Sequence, residues 1–345
     1  MIKRAIIAAF IVALSIWAWG RLDVIPLDVI GQPESTGFIQ SEIEAPFFER
    51  LARDTGLPLR VRYRSLEMVG YKDTHQLAIL NEGEADLISL RFPQNSTAMP
   101  ELMGIDLGGL TTDFTRGRAL VSAYSGVIDQ RLQERFGSKL LSIWPFGPQV
   151  MFCRKPVTSL RDVAGLKIRI ASALLEPLIS ALDAIPVVTA FEDVADGLRL
   201  GIFDCAVTSS ASANFSGWPK HSTHYYPITF QLGLNGYAIR LAVWNRLSAP
   251  QQRVLLDAFQ KQAETIWAYA EMAHLATSSC NTGGPCTLGD RYNLVKVEAS
   301  LEDVALVKKI MKEVTFKKWA SACDRITENC SRDFRERLDF LFSRE

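Results

Sequence analysis

The 345-residue sequence has no excess of charge: 38 Lys and Arg stand against 38 Asp and Glu, a formal net charge of zero. That balance gives no electrostatic reason to expect nucleic acid, whose binding rests on clustered cations. Histidine is scarce, with only His75, His221, His224 and His274. There is no C-x-x-C pair, and the histidines do not combine with cysteines at zinc spacing, so no metal site is expected. His221 and His224 stand beside Trp218 and Tyr225 and read as part of a surface loop. There is no G-x-S-x-G elbow and no H-E-x-x-H. Gly104, Gly108 and Gly109 are not followed by Lys-Ser or Lys-Thr, and Gly283-Gly284 reads as a turn, so no phosphate loop and no cofactor motif is found. Only one long apolar run exists, which excludes a polytopic membrane protein. No internal repeat or low-complexity tract is visible.

What is present is ordinary globular composition, 48% apolar and 22% charged, which excludes a disordered, collagenous or coiled-coil chain. The length is about twice that of an average domain of ~150 residues, so two packed lobes are expected. The N-terminus has the shape of a secretory signal peptide: Lys3 and Arg4, the apolar run Ala5 to Trp19 broken only by Ser15, then Ala18-Trp19-Gly20. An uncleaved membrane anchor is the other reading, since Trp17 and Trp19 are bulky near the cut. The run falls short of the ~20 residues needed to span. Either way the body of the chain is expected outside the cytoplasm. Six cysteines agree with an oxidising compartment, although fifteen pairings exist for six. Cys280 and Cys286 bracket the turn-forming Asn-Thr-Gly-Gly-Pro. Cys323 and Cys330 are close in sequence, and Cys153 and Cys205 lie in or next to predicted strands that can be neighbours.

Hydrophobic periodicity predicts strands at Leu27 to Gly31, Leu57 to Tyr63 and Ala85 to Leu90, with helices at Ser41 to Arg53 and Thr74 to Glu82 between them. That alternation is a parallel α/β unit. A helix over Ala119 to Phe136 and a strand over Leu140 to Trp144 follow, and Pro145 and Gly147 mark a boundary. A second unit has strands at Gln149 to Cys153, Leu166 to Ile170 and Phe203 to Thr208. Ser159 and Asp162 read as a capping box. Helices are expected at Ala173 to Asp183 and Phe191 to Leu200, the latter stopped by Gly201. Ile228 to Arg240 is apolar enough to cross back into the first lobe. Ser248, Pro250 and Gln251 open a helix of about 27 residues, long enough to brace two lobes. The expected division is a signal segment at 1–20, a first α/β lobe from 27–146 with 236–275, and a second from 147–235 with 276–345, ending in C-terminal helices.

Glu192 and Asp193 are paired carboxylates at a helix start, where acidic groups favour the helix dipole, so they read as structural. Arg169 is more telling. It lies near the end of an apolar strand, and open α/β sheets bind ligands outside the carboxyl ends of their strands. A guanidinium there offers a rigid fork of donors that matches a carboxylate. Arg91 occupies the comparable place after the Ala85 to Leu90 strand. Two such arginines across a cleft would clamp an anion. A hydrolase using Ser172 or Cys205 is the competing class. Cys205 shows no basic neighbour in sequence that would lower its pKa.

The stretch Pro156-Val-Thr-Ser-Leu-Arg-Asp-Val-Ala-Gly-Leu-Lys-Ile-Arg169 resembles the signature of the periplasmic solute-binding proteins of TRAP (tripartite ATP-independent periplasmic) transporters, the DctP-type family. Phe191-Glu-Asp-Val-Ala-Asp-Gly-Leu-Arg-Leu-Gly-Ile-Phe-Asp204 and Glu82-Gly-Glu-Ala-Asp86 resemble two further segments. Leu234-Asn235, followed by Trp244 to Leu247 and the Ser248 helix, is a fourth. The resemblance runs from about Asp28 to about Thr277 in matching order, and residues 278 to 345 match poorly.

The resemblance implies a two-lobed α/β periplasmic-binding-protein fold with a cleft between lobes, a long bridging helix and no catalysis. Such a receptor captures a small organic anion and hands it to membrane permease subunits; a membrane-anchored sensor is a variant reading. It implies that Arg169 pairs with the ligand carboxylate. A commonly basic position aligns with Gln149, so part of the usual clamp is missing. Ser172, Phe191 and Asn235 sit where the family lines its pocket, and Thr208 keeps one of its polar contacts. Gln32, near the end of the first strand, is a further candidate, and Trp218 lies in a loop that could cover the cleft.

Overall fold

The computed structural model describes residues 24–342; the signal segment expected at 1–20 lies outside the described residues. The strands are β1 Ile25–Ile30, β2 Leu59–Arg64, β3 Leu87–Arg91, β4 Ser138–Pro145, β5 Gln149–Cys153, β6 Lys167–Ile170, β7 Ile185–Val188, β8 Cys205–Ser209, β9 His224–Tyr226, β10 Leu234–Arg240 and β11 Val295–Lys296. They form two sheets, ordered β2-β1-β3-β10-β4 and β11-β9-β5-β8-β6-β7. In the first, β1 is parallel to β2 and β3, while β10 is antiparallel to β3 and β4. In the second, β6 is parallel to β7 and β8, and β5 is antiparallel to β8 and β9. Each sheet with its helices is one α/β lobe.

Burial explains the arrangement. β3 is buried at every position and sits in the middle of its sheet, as a strand covered on both faces must. β2 reads Leu-Arg-Val-Arg-Tyr-Arg and takes the edge, where its arginines reach water. β10 closes the crossing expected from Ile228 to Arg240, but only Leu234–Arg240 is strand. Gly233 adopts a left-handed φ of 67°, which breaks the extended run before it. That segment runs beside Phe146–Gln149: Phe146 N donates to Gly233 O, Gly147 N to Leu232 O, and Gln149 N to Gln231 O at 2.7–3.0 Å. The two crossing strands are thus zipped into a ribbon between the lobes.

The brace is longer than expected. Ala249–Asn281 is one helix of 33 residues, about 50 Å at 1.5 Å per residue, opened by the Ser248–Gln251 capping box. Its Trp267 Nε1 donates to Ile143 O in the first lobe, and its His274 Nδ1 lies 3.0 Å from Ser210 Oγ in the second.

Some local expectations change. Ser41 to Arg53 begins as a π-helical turn, Ile39–Glu44, before the α-helix Ala45–Thr55. Pro46 has no N–H for the i−4 carbonyl and crowds it, so the turn before it widens. Ala173 to Asp183 is a 3-10 turn, Ala173–Leu175, and a short helix, Glu176–Ser180, that ends before the left-handed Asp183. The C-terminal helices also differ: Phe316–Ile326 and Cys330–Phe342 pack on the first lobe rather than the second. Phe316, Trp319, Cys323 and Phe334 join its core, and Trp319 Nε1 donates to Pro100 O. Leu301–Ile310 stays with the second, where Val307 and Ile310 are buried. The apolar stripe of the last two helices is what selects the partner: Phe334 packs edge-on against Tyr124, and Trp319 and Phe334 close over Gly104.

Three disulfides form: Cys153–Cys205, Cys280–Cys286 and Cys323–Cys330. These are the pairs that sequence proximity and the β5/β8 neighbourhood suggested. No described helix is long and apolar enough to cross a membrane.

Candidate functional site

Side chains alternate along a strand, and this places Arg169. Its neighbours Ile168 and Ile170 point into one core of the second lobe. Arg169 points to the opposite face, where its guanidinium lies over Trp218 and Phe191, 5.5 and 6.0 Å from the ring centroids. The residue is only 2% exposed. Nε and Nη2 donate to Thr189 O at 3.0 and 2.7 Å, and Nη1 donates to Val207 O at 3.1 Å. Among the described residues it makes no ion pair. Three of its five N–H groups are committed to backbone carbonyls, so the remaining two are free for an anion.

Arg91 ends β3 in the other lobe and is 7% exposed. Its Nη1 donates to Asp73 Oδ2 at 2.9 Å, and its Nε is buried without a partner. Asn95 and Gln76 hold the turn that carries it: Arg91 N donates to Gln76 Oε1, and Asn95 Nδ2 donates to Arg91 O. The two guanidiniums act on each other. Burial, and then the Arg91 charge, pull the Arg169 guanidinium down to about 9, with Asp73 and Glu192 opposing. Burial likewise pulls Arg91 down, opposed chiefly by Asp73. A buried cation without a counterion is costly, so this pair is arranged to receive a negative charge.

Between the lobes lies a cavity of about 40 Å³. Arg91 and Asn235 from the first lobe line it, with Gln149, Arg169, Phe191 and Thr208 from the second. Three predicted residues do not. Trp218 is fully buried and stands behind Arg169 rather than covering the cleft, because its ring stacks into the core beside Phe152 and Phe191. Gln32 is buried beneath the first sheet's strand ends, where Nε2 donates to Ser89 Oγ and its backbone N to Glu44. Ser172 precedes the 3-10 turn Ala173–Leu175 and lies outside the cavity lining. Thr36, Gln94, Ser212 and Gln231 line the cavity without having been anticipated. Gln94 carried a signal, three residues beyond the end of β3; Gln231 lies within the Ile228 to Arg240 crossing that the sequence marked, but its position there was not singled out.

A larger groove of about 890 Å³ runs along edge strand β4 and the long helix. Two of its cations are matched, Arg118 to Glu264 and Lys139 to Asp129, and both stand exposed or half-buried at a surface rather than between the lobes, so size alone does not mark the ligand site here. Cys205 is bonded to Cys153 and offers no thiolate. Glu101, Cys323 and Cys330 cluster within metal-ligand reach, but those two sulfurs are likewise joined.

Residues 53–279 match the model of the bacterial extracellular solute-binding proteins, family 7, the DctP family. The chain belongs to this family. The family-7 match takes in all four motifs, from Glu82 to the start of the Ser248 helix, and leaves out β1 at its start and the helices from Leu301 on at its end. A curated relative, the C4-dicarboxylate-binding periplasmic protein DctP of Rhodobacter capsulatus, is 25% identical over 198 residues, 56% of this chain and 59% of that protein; the match thus spans under two thirds of the relative's length. Among solved structures, the Bordetella pertussis receptor DctP7, which binds pyroglutamic acid, superposes with a TM-score of 0.76 at 16% identity, covering 91% of this chain and 99% of that one. A TRAP periplasmic solute-binding protein from Desulfovibrio salexigens with bound orotic acid gives 0.79 at 14% identity, over 91% and 99%. These likenesses show the fold: this family-7 chain has the two-lobed architecture of TRAP solute-binding proteins.

Proposed function

We propose that this chain is an extracytoplasmic receptor that captures a small organic carboxylate and delivers it to the membrane subunits of a TRAP-type transporter. The observation that carries the reading is Arg169: a buried guanidinium with two free N–H groups and no acidic partner, facing Arg91 of the other lobe. The relatives' ligands, C4-dicarboxylates, pyroglutamate and orotate, are all small carboxylates.

In this reading the ligand carboxylate bridges Arg169 and Arg91 and so favours the closed over the open arrangement of the lobes. The lobes are 27–146 with 234–275, because β10 carries Leu234 and Asn235 into the first sheet two residues before the expected 236, and 147–233 with the segment after 276, the last helices excepted; the crossing ribbon is the hinge. A charge-assisted hydrogen bond contributes about 1.5–3 kcal/mol, and micromolar affinity needs about 8 kcal/mol. Two such bonds from Arg169 therefore supply a large share, and Phe191 and closure supply the rest. Three disulfides fit an oxidising compartment, and residues 1–20 are read as the export signal. The hydrolase reading has lost both its nucleophiles, since Cys205 is in a disulfide and Ser172 lies outside the cavity.

The test is a thermal-shift screen of the purified protein against mono- and dicarboxylates, keto acids and sugar acids, because a ligand of the folded state raises the melting temperature with occupancy. A shift that disappears in Arg169→Ala supports the reading. No shift with any carboxylate, or ligand chemically altered on recovery, ends it. N-terminal sequencing of the exported protein separates a free receptor from an anchored sensor.

A further inference from the structure

We infer that Asp73 is an internal counterion of the arginine pair, which competes with the ligand carboxylate for that charge and so sets how tightly the receptor holds its cargo. This rests on the receptor reading above and adds a residue that tunes it from outside the cavity lining.

Asp73 opens the 3-10 turn Asp73–His75 and is not among the residues that line the cavity. Its Oδ2 accepts from Arg91 Nη1 at 2.9 Å. The arginine is buried, while the aspartate side chain is 25% exposed. The carboxylate thus stands at the rim, bonded to a buried cation and still partly hydrated.

The contact is built into the first lobe. Asn95 Nδ2 lies 2.9 Å from each of Asp73 O, Gln76 Oε1 and Arg91 O, and Gln76 Oε1 accepts from Arg91 N at 2.8 Å. Asn95 and Gln76 are both buried. Two buried amides therefore tie the backbone of Asp73 to that of Arg91. All four residues belong to one lobe, so the spacing of acid and base does not depend on closure.

The consequence is electrostatic. The Arg91 charge weighs on Arg169 across the cavity, and Asp73 counters the burial of both. Glu192 acts the same way on both, but from an exposed position where water and salt screen it. A ligand carboxylate therefore meets two cations and one close acid. That acid repels it and draws on the same guanidinium. A receptor that must hand on its cargo is served by such a brake, because affinity differences between related complexes lie mostly in the dissociation rate.

The experiment is calorimetric titration of the intact exported protein with pyroglutamate, orotate and succinate as probes. Wild type is compared with Asp73→Asn, Arg91→Met and the double variant. Asp73→Asn keeps an acceptor for Arg91 and loses only the charge. It is expected to bind the probe that wild type holds best about tenfold more tightly, a gain that a merely structural residue does not give. Arg91→Met leaves the Asp73 carboxylate without its cation, and adding Asp73→Asn to it is expected to restore about five- to tenfold of the affinity lost. Binding of a probe by Asp73→Asn alone also supports the inference. Equal or weaker binding by Asp73→Asn, or a double variant no better than Arg91→Met, overturns it and leaves the receptor reading standing. If no probe binds either protein, a ligand found in the broader carboxylate panel takes their place in the same comparison; if that panel fails with both proteins, receptor reading and inference fall together. Should Asp73→Asn not fold, Asp73→Ser is measured in its place with the same expected sign. Failure of both to fold overturns the inference, since the residue is then structural.

Discussion

The Arg169 guanidinium carbon lies 5.5 Å from the centroid of the Trp218 ring, and that ring is fully buried. Trp218 is in turn 5.2 Å from Phe191, so two aromatic faces support one cation from behind. This contact fixes the plane of the fork before any ligand arrives, which lowers the ordering cost of binding. The cation–ring attraction is about 1–2 kcal/mol in such a buried setting.

Trp218→Leu is therefore expected to weaken carboxylate binding about tenfold, while Trp218→Phe, which keeps a ring face, retains most of the affinity. Both variants lose core volume, so both melt earlier than wild type. The affinity difference between them, read by titration calorimetry, isolates the support. Equal affinities in the two would show that the ring does no more than fill space.

Arg169→Met removes the two free charge-assisted bonds, and an affinity loss of at least about a hundredfold is expected. Arg169→Lys keeps the charge but not the fork, and is expected to recover only part of it. The empty protein should change little in melting temperature. Losing a buried, unpaired cation stabilises, and leaving Thr189 O and Val207 O without their donor destabilises, so the two effects oppose. Wild-type affinity in Arg169→Met would remove the basis of the functional reading.

How far the sequence reaches is visible in single residues. Arg169 was legible because strand alternation and strand-end position are local properties. Arg91 was legible for the same reason, whereas Phe191, Asn235, Gln149 and Thr208, which meet it at the cavity, were marked by the family resemblance and not by local pattern. Trp218 was not legible, since its neighbours in sequence do not say whether a loop aromatic faces water or core. β7 carries Pro186, which counts against a strand in sequence; it is tolerated because β7 is an edge. The docking of Trp319 on Pro100 joins residues 219 apart, and no periodicity encodes which of two cores a C-terminal helix will choose.

The disulfides differ in what they hold. Cys153 and Cys205 are directly opposite on antiparallel β5 and β8 and close a loop with a separation of 52 residues, against 6 for Cys280–Cys286. On the chain-entropy account the first contributes about 4 kcal/mol and the second about 2. The paired Cys153→Ala, Cys205→Ala variant is expected to lose about twice the stability of the Cys280→Ala, Cys286→Ala variant in urea titrations under oxidising conditions. The reverse order would mean that native packing, not loop length, sets their worth.

Asp106 governs the hinge ribbon. Its two carboxylate oxygens accept from Leu232 N and Leu234 N, each at 2.8 Å, and these flank the left-handed Gly233 beside the cavity. Complete burial pushes its carboxyl up to about 7 despite those donors. With a folded pKa above the unfolded 3.8, the folded state binds more protons between about pH 4 and 7. This group's contribution to stability therefore falls as pH rises across that window and levels off above it. Asp106→Asn abolishes the slope and sets an amide N–H against a backbone N–H. The stability gap between wild type and variant, followed by denaturant titration, is expected to be widest near pH 4 and to narrow by pH 7. Because Gln231, Gly233 and Asn235 ride on the same ribbon, the variant should also bind ligand about fivefold more weakly at neutral pH, the worth of one backbone hydrogen bond. Parallel stability curves would show that Asp106 stays ionised throughout and that the ribbon is held by charge alone.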